Sequence, residues 1–169
     1  MIRVHELGVG EDGRLRELDS PAAEASESVR VLHIEGSLFF GAAGELRDAL
    51  NAVARAPGVK ALVVRLKRTR GLDVTTAQVI GSLARQLEAQ GCHLVLVGLR
   101  PRAMRVLENT GIAAQIGPDN LFPTRRDWFH ATHSGEARAL ELTQAPASSP
   151  LRRYVQLRLA ELASTSSAD

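Results

Sequence analysis

The sequence predicts an α/β protein in which helices pack on a sheet, and two observations carry this prediction. Short runs rich in Val, Ile and Leu alternate with longer segments in which apolar residues recur every three or four positions. The longer segments are long enough to cross back over a sheet, so consecutive strands are expected to pair in parallel through right-handed crossovers. The 169 residues suit one such domain.

The chain begins with two strand-like segments, residues 2–9 and 14–18, which are separated by Gly-Glu-Asp-Gly. Glycines and acidic residues favour a tight turn, so the segments are expected to form a hairpin. Residues 20–28 show no core-facing pattern and are typical of a linker. The predicted organisation is therefore a hairpin and linker over residues 1–28, a main domain over 29–145 and a C-terminal region over 146–169.

The main domain is predicted to alternate strands with helices. Strands are expected at residues 29–34, 61–66 and 94–97, with a weaker fourth strand at residues 112–116. The first helix is expected at residues 42–55, where Leu46, Ala49, Leu50 and Val53 form one apolar face before Pro57-Gly58. A second apolar stripe runs through Val79, Ile80, Leu83 and Leu87 towards Gly91, and Pro101 opens a third helix with Gly111 as its C-cap.

Two more helices are expected near the C-terminus. Thr124 or Asp127 can start a helix that continues through Leu142, and residues 145–150 interrupt the helical pattern. Apolar residues then recur at helical spacing before a polar tail, at Leu151, Tyr154, Val155, Leu159 and Leu162. This amphipathic helix can dock either on the domain or on a partner.

Composition excludes several classes of function. The net charge of +2 is too small for general nucleic-acid binding, and an aromatic content of 4% provides no stacking platform for single strands. No apolar segment approaches the ~20 residues that a bilayer span needs. The lone Cys92 precedes an apolar run, where it is expected to be buried in a reducing, cytoplasmic setting.

The most informative segment joins a predicted strand to the second helix. Asp73 stands at this junction and is followed by Val74, Thr75 and Thr76. One interpretation is a binding or modification site, in which Asp73, Thr75 and Thr76 meet a ligand, a kinase or a partner at the positive end of the helix. The other is plain N-capping by Asp73, whose oxygen would satisfy a backbone N–H group.

A basic run precedes this junction. Arg65, Lys67, Arg68 and Arg70, with Arg100 and Arg102 after the next strand, provide candidate contacts for phosphate or acidic lipid. The alternative is a solvated rim of charge. No Gly-rich phosphate loop accompanies these residues.

No catalytic or metal centre is predicted. His130, His133 and Glu136 stand three residues apart on a predicted helix, but a convincing third metal ligand is missing and these are interpreted as surface histidines. Cys92 and His93 are adjacent on a strand and point to opposite faces. No Ser-His-Asp arrangement is apparent, so neither an enzyme activity nor a cofactor is expected.

Three stretches over residues 29–142 together resemble the STAS domain, which anti-sigma-factor antagonists share with the cytoplasmic tails of SulP-type anion transporters. They are Ile34-Glu-Gly-Ser-Leu-Phe-Phe-Gly-Ala-Ala43, Leu72-Asp-Val-Thr-Thr76, and Gly111-Ile112 with Ile116-Gly-Pro-Asp-Asn-Leu-Phe122. The pieces Leu38-Phe-Phe-Gly41 and Asp119-Asn-Leu-Phe122 resemble the transporter branch. The resemblance implies a mixed sheet of about four or five strands with helices mainly on one face and an antiparallel strand before residue 29.

The resemblance also implies a non-enzymatic regulatory module. In the antagonist branch the residue after the junction aspartate is phosphorylated, but here that residue is Val74, which has no hydroxyl group. The expected function is therefore regulation or assembly of a SulP-type sulfate or anion transporter. A free-standing antagonist-like switch, modified at Thr75 or Thr76, is the alternative.

The expected partner surface combines two segments, Leu38, Phe39, Phe40 and Gly41 in one and Asp73, Thr75 and Thr76 in the other. Its partner would be a transporter membrane domain or another protein, and family analogy adds a nucleotide. Since the chain shows no membrane span, the transporter part would belong to another chain or lie outside this one. The expected location is the cytoplasm, at the inner face of the membrane through the transporter.

Overall fold

The computed structural model describes residues 1–18, 28–39, 41–124, 130–146 and 148–166. The strands of one sheet are β1 (Ile2–Val9), β2 (Leu15–Glu17), β3 (Val29–Ser37), β4 (Ala61–Arg70), β5 (His93–Leu99) and β6 (Leu121–Pro123). The helices are α1 (Ala42–Ala54), α2 (Val74–Ala89), α3 (Pro101–Asn109), α4 (Ile112–Ile116), α5 (His130–Leu142) and α6 (Pro150–Ser166). A single 3₁₀ turn at Pro118–Asn120 precedes β6.

The sheet is mixed and its strand order is β2-β1-β3-β4-β5-β6. β1 pairs antiparallel with both β2 and β3, whereas β3, β4, β5 and β6 are parallel neighbours. β1 is both the first strand of the predicted hairpin and the predicted antiparallel strand before residue 29, because it lies between β2 and β3. The predicted α/β class is confirmed, with six strands where four or five were expected.

Helices cover apolar side chains on both faces of the sheet, because successive side chains of each strand point to opposite faces. Leu62 and Val64 on β4 point to a first face, where the apolar residues of α1 to α4 complete the larger core. Ala61 and Val63 point to a second face, where residues of α5 and α6 complete a smaller core. Most helices therefore lie on one face, as the resemblance implies, and the C-terminal pair lies on the other.

The expected strand at residues 112–116 is wrong, because these residues form helix α4. Gly111 adopts a left-handed conformation with φ of 76°, which ends α3 and lets a new short helix start in another direction. Ile112, Ala113 and Ile116 then face the first core at helical spacing. The last strand is instead β6, which pairs with β5 at the edge of the sheet.

Strand β4 extends four residues beyond the predicted end at Leu66, through Arg70. An irregularity in the pairing with β3 lets it do so, since His33 lies opposite Arg65 while Glu35 lies opposite Arg68. One extra residue of β4 is accommodated there, as in a β-bulge. The hydroxyl of Thr69 donates a 2.6 Å hydrogen bond to the carbonyl of Leu66 at this place.

Helix α5 ends at Leu142 as predicted, while residues 125–129, which include one proposed start, lie outside the described residues. The prediction that His133 lies on the surface is wrong, because it is buried, and the Glu136 side chain has 0% exposure. Both side chains point towards the second face of the sheet. The sequence does not show that α5 and α6 cover this face. The side chain of His130 and the predicted linker at residues 20–27 also lie outside the described part.

Candidate functional site

The candidate site lies where β4 ends and α2 begins. Asp73 is the N-cap of α2, and its Oδ1 accepts a hydrogen bond from the Thr76 backbone N–H at 2.8 Å. Its backbone carbonyl accepts the first helical bond, from Ala77 N–H at 2.9 Å. Asp73 therefore has the helix-capping role that the sequence suggested. Its side chain is half-buried at the edge of the sheet.

The three residues after Asp73 differ sharply in exposure. Val74 is 52% exposed and Thr75 is also exposed, whereas Thr76 has 0% exposure. The Oγ1 atom of Thr76 is buried and has no hydrogen-bond partner among the described residues. The placement of Thr76 on the contact surface therefore needs correction, since its side chain faces the interior and only the Thr75 hydroxyl is accessible.

The β3–α1 loop lies beside this junction and is held to it by two contacts. The backbone N–H of Leu38 donates to the carbonyl of Arg70 at 2.7 Å, and Leu38 itself is buried. The Phe39 ring lies against Gly71, whose added Cβ would stand 2.4 Å from Phe39 Cε1. Gly71 has φ of 69°, so its backbone conformation and the close ring both favour glycine.

Among the described residues of the predicted Leu38-to-Gly41 segment, Phe39 and Gly41 are exposed. The Phe39 side chain is 57% exposed although it is large and apolar, and Gly41 precedes α1 as its N-cap. Phe40 lies outside the described residues. Leu38 belongs to the core instead of the contact surface, because it is 1% exposed and packs with the residues of the first face.

A small pocket of about 310 Å³ lies beneath these loops. Its lining is mainly apolar, with Leu38, Leu66, Leu72 and Leu99, and its rim carries Arg70, Arg100 and Arg102. The connections that follow β3, β4 and β5 run through α1 to α4, which all lie on the first face. The order of the strands therefore does not reverse here, and the deep crevice of a dinucleotide-binding sheet is not formed.

The predicted basic residues divide between two places. Arg70 and Arg102 line this pocket, while Arg65, Lys67 and Arg68 line a separate groove on the second face. Arg100 borders both. The groove also contains Arg3, His5 and His33, which sequence reasoning missed. Alternation of polar residues along β1 and β3 was the available signal for them.

A buried polar cluster is formed by side chains of α5 and α6. His133 Nδ1 is 3.7 Å from Glu136 Oε2, and the Tyr154 ring meets the His133 ring edge-on at 5.6 Å between centroids. Burial lowers the pKa of Arg65, and the charge of Glu136 opposes that shift. Within the described residues, no group of three acidic, histidine or cysteine side chains is arranged to hold a metal ion.

Comparison with known proteins identifies the family. The STAS domain model matches residues 20–128, which is most of the chain. The chain belongs to the STAS domain family. The β3–α1 loop and the Asp73 junction are two of the three stretches on which the sequence resemblance rested, and the structure brings these two together at one edge of the sheet.

A transporter is among the proteins that this STAS domain resembles in sequence. A putative sulfate transporter of Bacillus subtilis is 28% identical over 102 residues, which make up 60% of this chain and 19% of the transporter. The chain thus spans about a fifth of the length of that relative. This match confirms the resemblance to the transporter branch.

Solved structures show the same fold. A sulfate transporter family protein from Wolinella succinogenes superposes with a TM-score of 0.56 at 24% identity, covering 75% of this chain and all of that one. The murine solute carrier 26 member A9 anion transporter gives a TM-score of 0.62 at 14% identity, over 86% of this chain and 23% of the transporter. Among the described residues, no helix has the length and apolar character that crossing a bilayer requires.

Proposed function

We propose that this STAS domain is a non-enzymatic regulatory and interaction module of a SulP-type anion transporter, acting at the cytoplasmic face of the membrane. Its contact surface would be formed by Phe39, Gly41, Asp73, Val74 and Thr75. The sequence relationship to a sulfate transporter supports the transporter context. The apolar and small polar residues of this surface favour contact with a protein over catalysis.

The observation that carries this proposal is the pair of exposed apolar side chains at one edge of the sheet. Phe39 and Val74 are 57% and 52% exposed, and they flank the two loops that Gly71 and Leu38 hold together. Large apolar side chains that remain exposed on adjacent loops are typical of interaction surfaces, where aromatic residues act as anchors. The ring of Phe39 is already fixed against Gly71, so little side-chain entropy would be lost on binding.

The test is site-specific photo-crosslinking in the native host. A benzophenone amino acid introduced at Phe39 should form an adduct with a membrane protein that has many spans, identified by mass spectrometry. The matched control carries the same group at Leu157 on α6, an apolar residue that is 66% exposed and distant in sequence from both loops. Adducts at Phe39 with soluble proteins alone, or equal adducts at both positions, would contradict the proposal.

The antagonist-like switch remains the second candidate, and one observation supports it. Thr75 is an exposed hydroxyl in the first turn of α2, where the helix dipole would stabilise a phosphate group. Thr76 is buried and would require local unfolding before a kinase reached it. Labelling with radioactive ATP in host extract should therefore place phosphate at Thr75 if this function holds, and Thr75→Val should abolish the label.

A further inference from the structure

Three exposed arginines lie at the edge of the sheet where the parallel strands β3, β4 and β5 end. The register places Ser37, the last residue of β3, beside Arg70, the last residue of β4, and Arg100 directly follows β5. Arg102 lies in the first turn of α3. These three side chains, the arginine rim, border the pocket of about 310 Å³ beside the Phe39 loop, and all three are exposed.

Positive charge is concentrated in the two segments that supply the arginine rim. Residues 68–76 and 99–105 contain five of the 21 basic residues of the chain but only one of its 19 acidic residues, Asp73. Elsewhere in the sequence the remaining 16 basic residues are outnumbered by 18 acidic ones. The small net charge of +2 therefore combines a basic edge with a weakly acidic remainder, and the edge attracts anionic partners.

Acidic side chains do not neutralise the arginine rim. No acidic residue lines the pocket. Within the described part of the chain, the side chains of Arg70 and Arg102 form neither an ion pair nor a hydrogen bond. Arg100 Nη2 donates to the carbonyl of Lys67 at 3.2 Å, which orients the guanidinium group without cancelling its charge. The outward-facing donors of the rim are thus available to a partner.

Arginines at other places on the surface are paired. Arg47, Arg68 and Arg158 each have a nitrogen within 3.4 Å of a carboxylate oxygen. Three guanidinium groups that share one pocket mouth without such a carboxylate repel one another. An anionic partner relieves this repulsion, and the planar fork of arginine donors matches the oxygens of a phosphate group.

The neighbouring side chains indicate what kind of anion fits. Phe39 and Val74 are 57% and 52% exposed at the same edge, so apolar side chains lie beside the arginine rim. A free anion would meet only the arginines. At a membrane surface, by contrast, a protein embedded in the bilayer is surrounded by lipid phosphate groups. An edge with apolar side chains beside unneutralised arginines fits the boundary between such a protein and its lipids.

We propose that the arginine rim binds the phosphate groups of anionic membrane lipids, while Phe39 and Val74 contact the transporter beside them. This inference rests on the proposed function for the location of the domain at the membrane. It adds a second partner, the lipid headgroups, and an orientation in which the ends of β3, β4 and β5 face the bilayer. The opposite edge of the sheet, where α1 ends and β4 begins, then faces away from it.

The experiment is cosedimentation of the whole chain with vesicles of phosphatidylcholine mixed with phosphatidylglycerol. The chain should bind these vesicles about 100-fold more tightly than vesicles of phosphatidylcholine alone, since each arginine near an anionic surface contributes about fivefold. Vesicles in which phosphatidylserine supplies the same surface charge should bind equally well. Binding should weaken as sodium chloride is raised, because salt screens exposed charges.

The decisive variant replaces all three arginines of the rim by Gln. Its affinity for the anionic vesicles should fall about 100-fold, to the level seen with phosphatidylcholine alone. Circular dichroism checks its fold. If it does not fold, Arg70→Gln with Arg102→Gln takes its place, because neither side chain has a partner in the described part of the chain, and a loss of about 25-fold is expected.

The matched control removes the same amount of charge away from the rim. Arg55→Gln, Lys60→Gln and Arg85→Gln change three exposed side chains, two of them at the opposite edge of the sheet and one in the later part of α2. This triple variant should keep nearly the affinity of the unchanged chain. An equal loss in both triple variants would overturn the proposal, because it would reflect net charge alone.

Three other results would also overturn it. They are no binding to anionic vesicles, equal binding to phosphatidylcholine alone, and release of the chain by sodium phosphate at constant ionic strength, which would assign the rim to a free anion. The vesicles contain no protein, so this test is independent of crosslinking at Phe39. Crosslinks without vesicle binding would contradict only the lipid contact, and vesicle binding without crosslinks would contradict only the transporter contact.

Discussion

Asp73 has the capping role that the sequence suggested, and it is also part of the proposed contact surface. Its Oδ1 caps α2 through the Thr76 N–H, and its half-buried position still leaves it at the edge of the proposed contact surface. Capping could be anticipated because Asp before a helical stripe is a strong N-terminal signal. The burial of Thr76 could not, because it depends on how α2 rotates against the first face.

Replacing Asp73 separates these roles. Asp73→Ala removes the cap and should destabilise the domain by about 1 kcal/mol, whereas Asp73→Ser keeps a capping oxygen and should cost less than half of that. Urea denaturation followed by circular dichroism measures both values. Thr75→Ala is the control and should be near neutral, since Thr75 is exposed. If the serine variant keeps its stability but loses crosslinking at Phe39, Asp73 contacts the partner as well.

Gly71 provides a second test at the residue scale. Gly71→Ala should destabilise by about 1–2 kcal/mol through its left-handed conformation, and by roughly 1 kcal/mol more through displacement of the Phe39 ring. Gly58 has φ of 80° and nothing within 4 Å of an added Cβ, so Gly58→Ala measures the conformational part alone. The excess for Gly71→Ala should disappear in a Phe39→Ala background. Equal costs at both glycines in the wild-type background would show that Phe39 does not press on Gly71.

At the scale of elements, the long alternating segments could be predicted and the short ones could not. Helix α4 has only five residues and two β-branched isoleucines, so its pattern fits a short strand as well as a helix. Strand β6 has three residues and contains a proline, which leaves too little pattern to read. The groove was anticipated only in part for a related reason, because Arg3 and His33 join the predicted Arg65 only through strand pairing.

The buried ion pair between β1 and β3 makes an element-scale prediction. Glu6 and Arg30 are both buried, and Arg30 Nη1 donates to Glu6 Oε1 at 2.5 Å. Burial raises the pKa of Glu6, although Arg30 opposes the shift, so desolvation of the carboxylate outweighs the attraction. Removing one partner leaves an uncompensated charge where β1 joins the sheet.

Glu6→Leu should therefore destabilise by about 3 kcal/mol, while Glu6→Leu with Arg30→Met should recover most of that loss. Equilibrium unfolding in urea gives the two values and their coupling energy. The exposed pair of Arg158 and Glu161 on α6 is the comparison, and Glu161→Ala should leave the melting temperature unchanged. A double variant as unstable as Glu6→Leu would mean that apolar side chains do not fit this site.

At the scale of the whole molecule, the sheet needs cover on both faces. The strands carry a continuous apolar pattern, and the second face is completed by Ala139 and Leu140 of α5 and by Leu151 and Val155 of α6. This cover also explains why His133 and Glu136 are buried. The sequence pattern shows that α6 is amphipathic, but it does not show which surface receives it.

A chain that ends at residue 145 should accordingly be destabilised. It loses Leu151 and Val155, which are both nearly inaccessible, and two such side chains contribute about 1.5–3 kcal/mol each. We expect a lower melting temperature and increased binding of a hydrophobic dye. A chain that ends at Ala163 keeps both residues and should melt as the whole chain does. Equal melting temperatures for the two truncated chains would show that residues 1–145 fold without help from α6.

Cys92 reports whether the two faces unfold together. It lies in the first core, on the opposite side of the sheet from α6, and burial raises its pKa to about 11. At pH 8 the folded thiol is therefore almost entirely protonated, with about 100-fold less thiolate than an unperturbed cysteine, and it is also out of reach of a reagent. Labelling by a disulfide reagent should proceed only through opening of the first core. In the chain that ends at residue 145, labelling should accelerate about tenfold for each ~1.4 kcal/mol of lost stability if the domain unfolds as one unit. Unchanged labelling beside a lowered melting temperature would contradict this, because it would mean that the second face opens without the first.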